Sequence, residues 1–150
     1  MTALRLIALA LTAMIVVPGG AHLFALPNKI GLEAEAYFTV QQIYAGWALF
    51  AVPILAAILA NGALAFAERR RDRSAARWAL LSALLIVASL GVFFIWVYPG
   101  NRATANWTSV PEGWEALRRS WEYGHAANAV ILFAALLATG RAIIGSRRGG

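Results

Sequence analysis

The sequence predicts an all-α integral membrane protein: a four-helix transmembrane bundle with both termini on the cytoplasmic side and an outer cap built from two external loops. Three observations predict it. Of 150 residues, 61% are hydrophobic and only 13% charged, against about 45–50% and about 25% in soluble domains. The mean hydropathy is +0.65. Four stretches carry no charge, 6–28, 36–67, 78–101 and 123–140, and each approaches the roughly 20 residues needed to cross a bilayer. The basic residues gather at one set of span ends.

Taken in order, the first stretch supports a span over about 5–26, with Pro18, Gly19 and Gly20 expected to kink or open the helix near His22. Close packing through the small residues is the alternative. The same stretch also has the form of a secretory signal, because Arg5 precedes an apolar run and Gly19-Gly20-Ala21 resembles a cleavage site. The second span covers about 40–66, its surplus length lying outside and Pro53 placed to bend it. The third covers about 78–98 and forms an antiparallel hairpin with the second across a short loop. A long aromatic loop follows, and the fourth span covers about 120–143, its helix starting near Pro111 or Glu112. These four spans make a single domain of residues 1–150.

Orientation follows from arginine, since cytoplasmic loops carry the excess of Lys and Arg. The loop 68–77, together with Arg5, Arg141, Arg147 and Arg148, holds nine positive and two negative charges; the other side holds four and five. The pI of about 10.8 is therefore a topology signal, and nucleic-acid binding is excluded because the arginines sit at span ends instead of along one recognition face. The composition suggests a bacterial inner membrane. With no cysteine there is no disulfide framework, thiolate nucleophile or Cys-ligated metal.

Ionisable residues inside spans are costly and mark sites by default. His22 and His125 fall at the outer ends of the first and last spans, at similar depth. Tyr37, Gln41 and Tyr44 lie at i, i+4 and i+7, while Trp114, Arg118, Trp121, His125 and Asn128 alternate steps of four and three, so each set occupies one helix face. The spacings Glu115 to Arg119 and Arg118 to Glu122 suit i, i+4 ion pairs. The deeper, inner halves of the spans read as almost wholly apolar, which speaks against a transport route.

Two chemistries fit this layer. In one, a lipophilic molecule enters from the bilayer and His125 takes a proton from it, with Glu122 or Asn128 orienting the ring and Arg118, Gln41 or Tyr44 stabilising the anion. No cofactor or metal is expected on this reading. In the other, His22 and His125 hold haem between two helices, or Glu122-x-x-His125 with His22 and Glu33 or Glu35 holds iron. A non-enzymatic alternative is an accessory subunit whose polar stripe meets a membrane-protein partner or a second copy.

Asn101-Arg-Ala-Thr-Ala-Asn106-Trp-Thr, followed by Trp114-Glu-Ala-Leu-Arg118-Arg-Ser-Trp121-Glu-Tyr-Gly-His125-Ala-Ala-Asn128, resembles the outer loop and last helix of a family of small four-span membrane proteins that includes the fungal anthrone oxygenases. The segments 21–29 and 40–47 are similar to bacterial members. The resemblance implies Asn101, Asn106, Trp114, Arg118, Trp121 and His125 as site residues, with Asn128 standing where an arginine is often found. It also implies cofactor-independent oxidation of an electron-rich aromatic by O₂. The site expected is thus His125, Arg118, His22 and Glu122 for catalysis, with Asn101, Asn106, Trp114, Trp121, Tyr37, Gln41, Tyr44 and Asn128 around the ligand.

Overall fold

The computed structural model describes residues 1–145, and all regular structure in them is helical. Arg147 and Arg148 of the basic count lie outside the described residues. Helix α1, Thr2–Lys29, runs unbroken through Pro18, Gly19, Gly20 and Pro27, so the expected opening beside His22 is absent. Close packing explains the glycine: a Cβ on Gly19 would stand 3.2 Å from the Ala129 Cα of the last helix. Small residues at such contacts let helix backbones approach.

After α1 the chain turns through Leu32 into α2, Ala34–Gln41, then two 3₁₀ turns, Gln42–Tyr44 and Trp47–Phe50. Gly46, at φ 82° between those turns, supplies the left-handed residue that reverses the path. A continuous α-helix therefore begins only at α3, Ala51–Glu68, which the second 3₁₀ turn extends back to Trp47, and of the span expected over 40–66 the residues 40–46 belong to the cap. Pro53 falls in the first turn of α3, where a missing backbone N–H is best tolerated.

Asp72 starts α4, Arg73–Val92, by accepting from the backbone N–H of Ser74 at 2.9 Å and Ala75 at 3.0 Å. The helix continues through a π turn, Phe93–Val97, into α5, Tyr98–Ala103, giving one helical run of 31 residues. Helix α6, Trp114–Gly145, is the longest at 32 residues. It starts at Trp114, later than Pro111 or Glu112.

Four helical runs, Thr2–Lys29, Trp47–Glu68, Arg73–Ala103 and Trp114–Gly145, are long and apolar enough to cross a membrane. They pack as a ring in which α1 and α4 each touch both α3 and α6. Small side chains fill much of the interior, among them Ala8, Ala57, Ala79 and Ala135, each 0% exposed, whereas Phe24, Leu49, Leu59 and Val17 point outward. A water-soluble bundle would bury its large apolar residues; this distribution is compatible with lipid contact.

The two ends of the bundle differ. At the basic end, Arg5 Nη2 meets Glu68 Oε1 at 2.5 Å, tying the start of α1 to the end of α3. One layer further in, Thr12, Asn61, Ser82 and Thr139, one from each helix, form a closed hydrogen-bonded group, so the basic half is not purely apolar as its sequence suggested. At the other, cap end, the aromatic Tyr37, Phe38, Trp107 and Trp121 pack with Val97 as the floor of the folded loops.

Candidate functional site

The cap is fastened by buried charge. Lys29, in the last turn of α1 and 3% exposed, places Nζ 2.9 Å from Glu122 Oε1 of α6. The same carboxylate oxygen accepts from the Tyr37 hydroxyl at 2.9 Å, and that hydroxyl accepts from Gln41 Nε2, also at 2.9 Å. Burial and the neighbouring carboxylate together raise the Tyr37 phenol above its ordinary pKa, so it remains the donor. Lys29 also stands over the rings of Tyr44, at 4.7 Å, and Trp121, at 5.0 Å. Neither expected ion pair along α6 forms. Arg118 instead donates from Nη1 to the Leu32 carbonyl at 2.5 Å and lies 4.5 Å above the Trp114 ring.

The loop after α5 turns back on itself through three consecutive left-handed residues, Ala105, Asn106 and Trp107, at φ 48°, 57° and 64°. Side chains other than glycine rarely adopt that conformation, and it persists only where surrounding contacts hold it. Here Thr104 Oγ1 accepts from the Trp107 N–H at 2.9 Å, the Asn106 N–H donates to the Asn101 carbonyl at 2.7 Å, and Gln42 Nε2 donates to the Trp107 carbonyl at 2.8 Å. The result buries the Trp107 indole to 4% exposure. Its Nε1 and that of Trp121 both donate to Asn101 Oδ1, at 3.2 and 2.7 Å.

Beneath this cap lies a cavity of about 640 Å³ between α1, the 3₁₀ turns, the π turn and α6, within the range of small-molecule sites. His22 and His125 meet in its wall as stacked rings, centroids 3.9 Å apart and planes 21° apart. Trp121 stands edge-on to both, at 4.2 Å from His125 and 4.9 Å from His22; Tyr44 approaches His22 to 4.3 Å. Among the described residues, neither imidazole has a hydrogen-bond partner. Gly124, next to His125, allows α6 to lie against the π turn, for a Cβ there would stand 2.9 Å from Val97 Cγ2.

Of the residues singled out from sequence, His22, Gln41, Tyr44, Asn101, Asn106, Trp121, His125 and Asn128 line this cavity. Tyr37, Glu122, Arg118 and Trp114 do not; they form the polar and aromatic layer behind it. The haem reading does not fit, because a macrocycle held by both histidines must lie between their rings, and those rings are already in contact. For iron, Glu122 is turned to Lys29 while Glu33 and Glu35 are exposed, and no three acidic or imidazole groups converge among the described residues. Sequence reading missed Lys29, whose signal was its place seven residues after His22 on the same face of α1. It also missed Trp47 and Trp107 as part of the site, which only the folded loops bring there.

Comparison with models of known families, with characterised proteins and with solved structures gives no match.

Proposed function

We propose that the cavity binds a flat, lipophilic small molecule taken from the bilayer, and that the His22–His125 pair removes a proton from it. One observation carries this reading: two imidazoles without partners stand in the wall of an aromatic cavity large enough for such a ligand. A neutral imidazole offers a nitrogen lone pair that can accept a proton, and the rings of Tyr44, Trp47 and Trp121 offer faces and edges to a planar molecule. An accessory subunit would use the same layer for filled helix packing or an aromatic flank. A cavity at that layer favours a ligand.

On this reading the four spans cross a bacterial inner membrane, with the loop 68–77 and both termini in the cytoplasm and the cap outside, as the arginine distribution directs. The oxygenase chemistry implied by the family resemblance suits the site. The ring CH₂ of an anthrone loses a proton to imidazole, the electron-rich carbanion adds O₂ and regains a proton as a hydroperoxide, and loss of water leaves the ketone. The test is anthrone added to the protein in lipid nanodiscs, with tryptophan quenching and oxygen uptake recorded. Saturable quenching with uptake that His22→Ala and His125→Ala abolish is the expected result. Quenching without uptake leaves a binding protein, and neither leaves the accessory subunit.

A further inference from the structure

The orientation of an asparagine amide is ordinarily ambiguous, yet at Asn101 chemistry decides it. An indole N–H can only donate, and two of them, from Trp107 at 3.2 Å and Trp121 at 2.7 Å, converge on one atom of the Asn101 side chain. That atom must be the oxygen. The NH₂ group is then held on the other side, and among the described residues it donates to nothing. Asn101 is half-buried and stands in the cavity wall. Its neighbour Gly100 brings the short helix α5 close to both indoles, with room for a Cβ only at 3.5 Å from Trp121 and 3.6 Å from Trp107. The fork is therefore a packed unit, and the amide has little freedom to rotate away from it.

We infer that Asn101 is the fixed hydrogen-bond donor of the cavity and selects ligands that present a carbonyl oxygen there, with Trp107 and Trp121 as the positioning residues that hold the amide. The inference rests on the ligand-binding reading above and adds the polarity that the ligand must have. It also gives that donor a part in the reaction. Trp121, which fixes the amide, lies 4.2 Å from His125, so donor and base share one wall of the cavity. When a C–H bond conjugated with the carbonyl breaks, the proton goes to imidazole nitrogen and the electron pair moves to the carbonyl oxygen. A donor already in place stabilises that oxyanion without reorganising.

The experiment compares 9-fluorenone with fluorene, which differ only in a C=O against a CH₂, by equilibrium binding to the protein in nanodiscs, corrected for partition into protein-free nanodiscs. The expected preference for the ketone is about tenfold, the usual scale of one good hydrogen bond in a dry site. Asn101→Asp keeps an oxygen acceptor for both indoles and replaces the donor, so the ketone-to-hydrocarbon ratio should fall to about one. A variant that keeps the wild-type ratio overturns the inference, as does wild-type protein that binds both probes without preference. The infrared C=O stretch of fluorenone bound to the wild type supplies a second readout that needs no variant. A shift to lower wavenumber than in protein-free bilayer is expected, and an unshifted band overturns the inference. Failure of the wild type to bind either probe would remove the ligand-binding reading itself.

Discussion

At the basic end of the bundle, Asn61 donates to the Thr12 hydroxyl at 2.9 Å and to the Ala57 carbonyl at 3.0 Å, accepts from Thr139 at 2.9 Å, and Thr139 meets Ser82 at 2.8 Å. At the cap end, some buried side-chain atoms have neither a hydrogen-bond nor an ion-pair partner among the described residues: His22 Nδ1, Gln41 Oε1, Arg118 Nε, Glu122 Oε2 and Asn128 Oδ1. All of these belong to the cap half, and none to the four-residue group. Both layers are polar and buried, but only one is satisfied. Each unsatisfied buried group costs about 1–3 kcal/mol, so the two layers differ in what their protein contacts contribute to stability. The closed group links four helices; of the open atoms, those of His22, Gln41 and Asn128 belong to residues that line the cavity, while Arg118 Nε and Glu122 Oε2 lie in the layer behind it.

The contrast breaks most severely at the ion pair. Lys29→Met leaves the Glu122 carboxylate buried with only Tyr37 as partner, and should destabilise the protein by about 3–5 kcal/mol, read from unfolding in detergent micelles. The double variant Lys29→Met with Glu122→Gln should regain at least half of that. A loss below about 1 kcal/mol for Lys29→Met would mean that the pair does not fasten the cap. Next in size, Asn61→Leu removes the centre of the closed group but leaves Thr12 and Thr139 their own carbonyls, Ala8 and Ala135. About 1–3 kcal/mol should be lost with ligand binding intact. Weaker binding in this variant would show that the two layers are coupled. Gly124→Ala should cost about 1–2 kcal/mol by overpacking the π turn and, unlike Asn61→Leu, should weaken anthrone binding by displacing His125. Equal binding would separate the π turn from the site.

How much of this was legible follows the range of the signals. The four runs were readable because absence of charge is local, and the buried face of α6 because Arg118, Trp121, His125 and Asn128 are set by one helix period. That period could not say that Arg118 would turn to the Leu32 carbonyl and Glu122 to Lys29, since partners on other helices leave no local spacing. The closed group was invisible for the same reason: its hydrogen-bonded pairs join single polar residues 49 to 78 positions apart, each unremarkable in its own span. Tyr44 was assigned to the helix face of Tyr37, whereas the 3₁₀ turn Gln42–Tyr44 carries it out of α2 and against His22. The left-handed run at 105–107 has no glycine to announce it; its stability comes from Thr104 and Gln42, seen only once the chain is folded.

The smallest expected change in stability is the most informative. Replacing a polar group that has no hydrogen-bond partner, buried at His22 and half-buried at His125, by an apolar one of similar size relieves whatever desolvation cost it carries and breaks no hydrogen bond. His125→Leu and His22→Leu should therefore shift stability by no more than about 1 kcal/mol, in either direction, because lost ring stacking offsets the relief. The same substitutions should abolish anthrone-dependent oxygen uptake. A stable but inactive protein is what a site maintained against stability produces. If either substitution instead costs as much as Lys29→Met, the stacked pair is holding helices α1 and α6 together, and the distinction between a closed structural layer and an open functional one falls at its most exposed point.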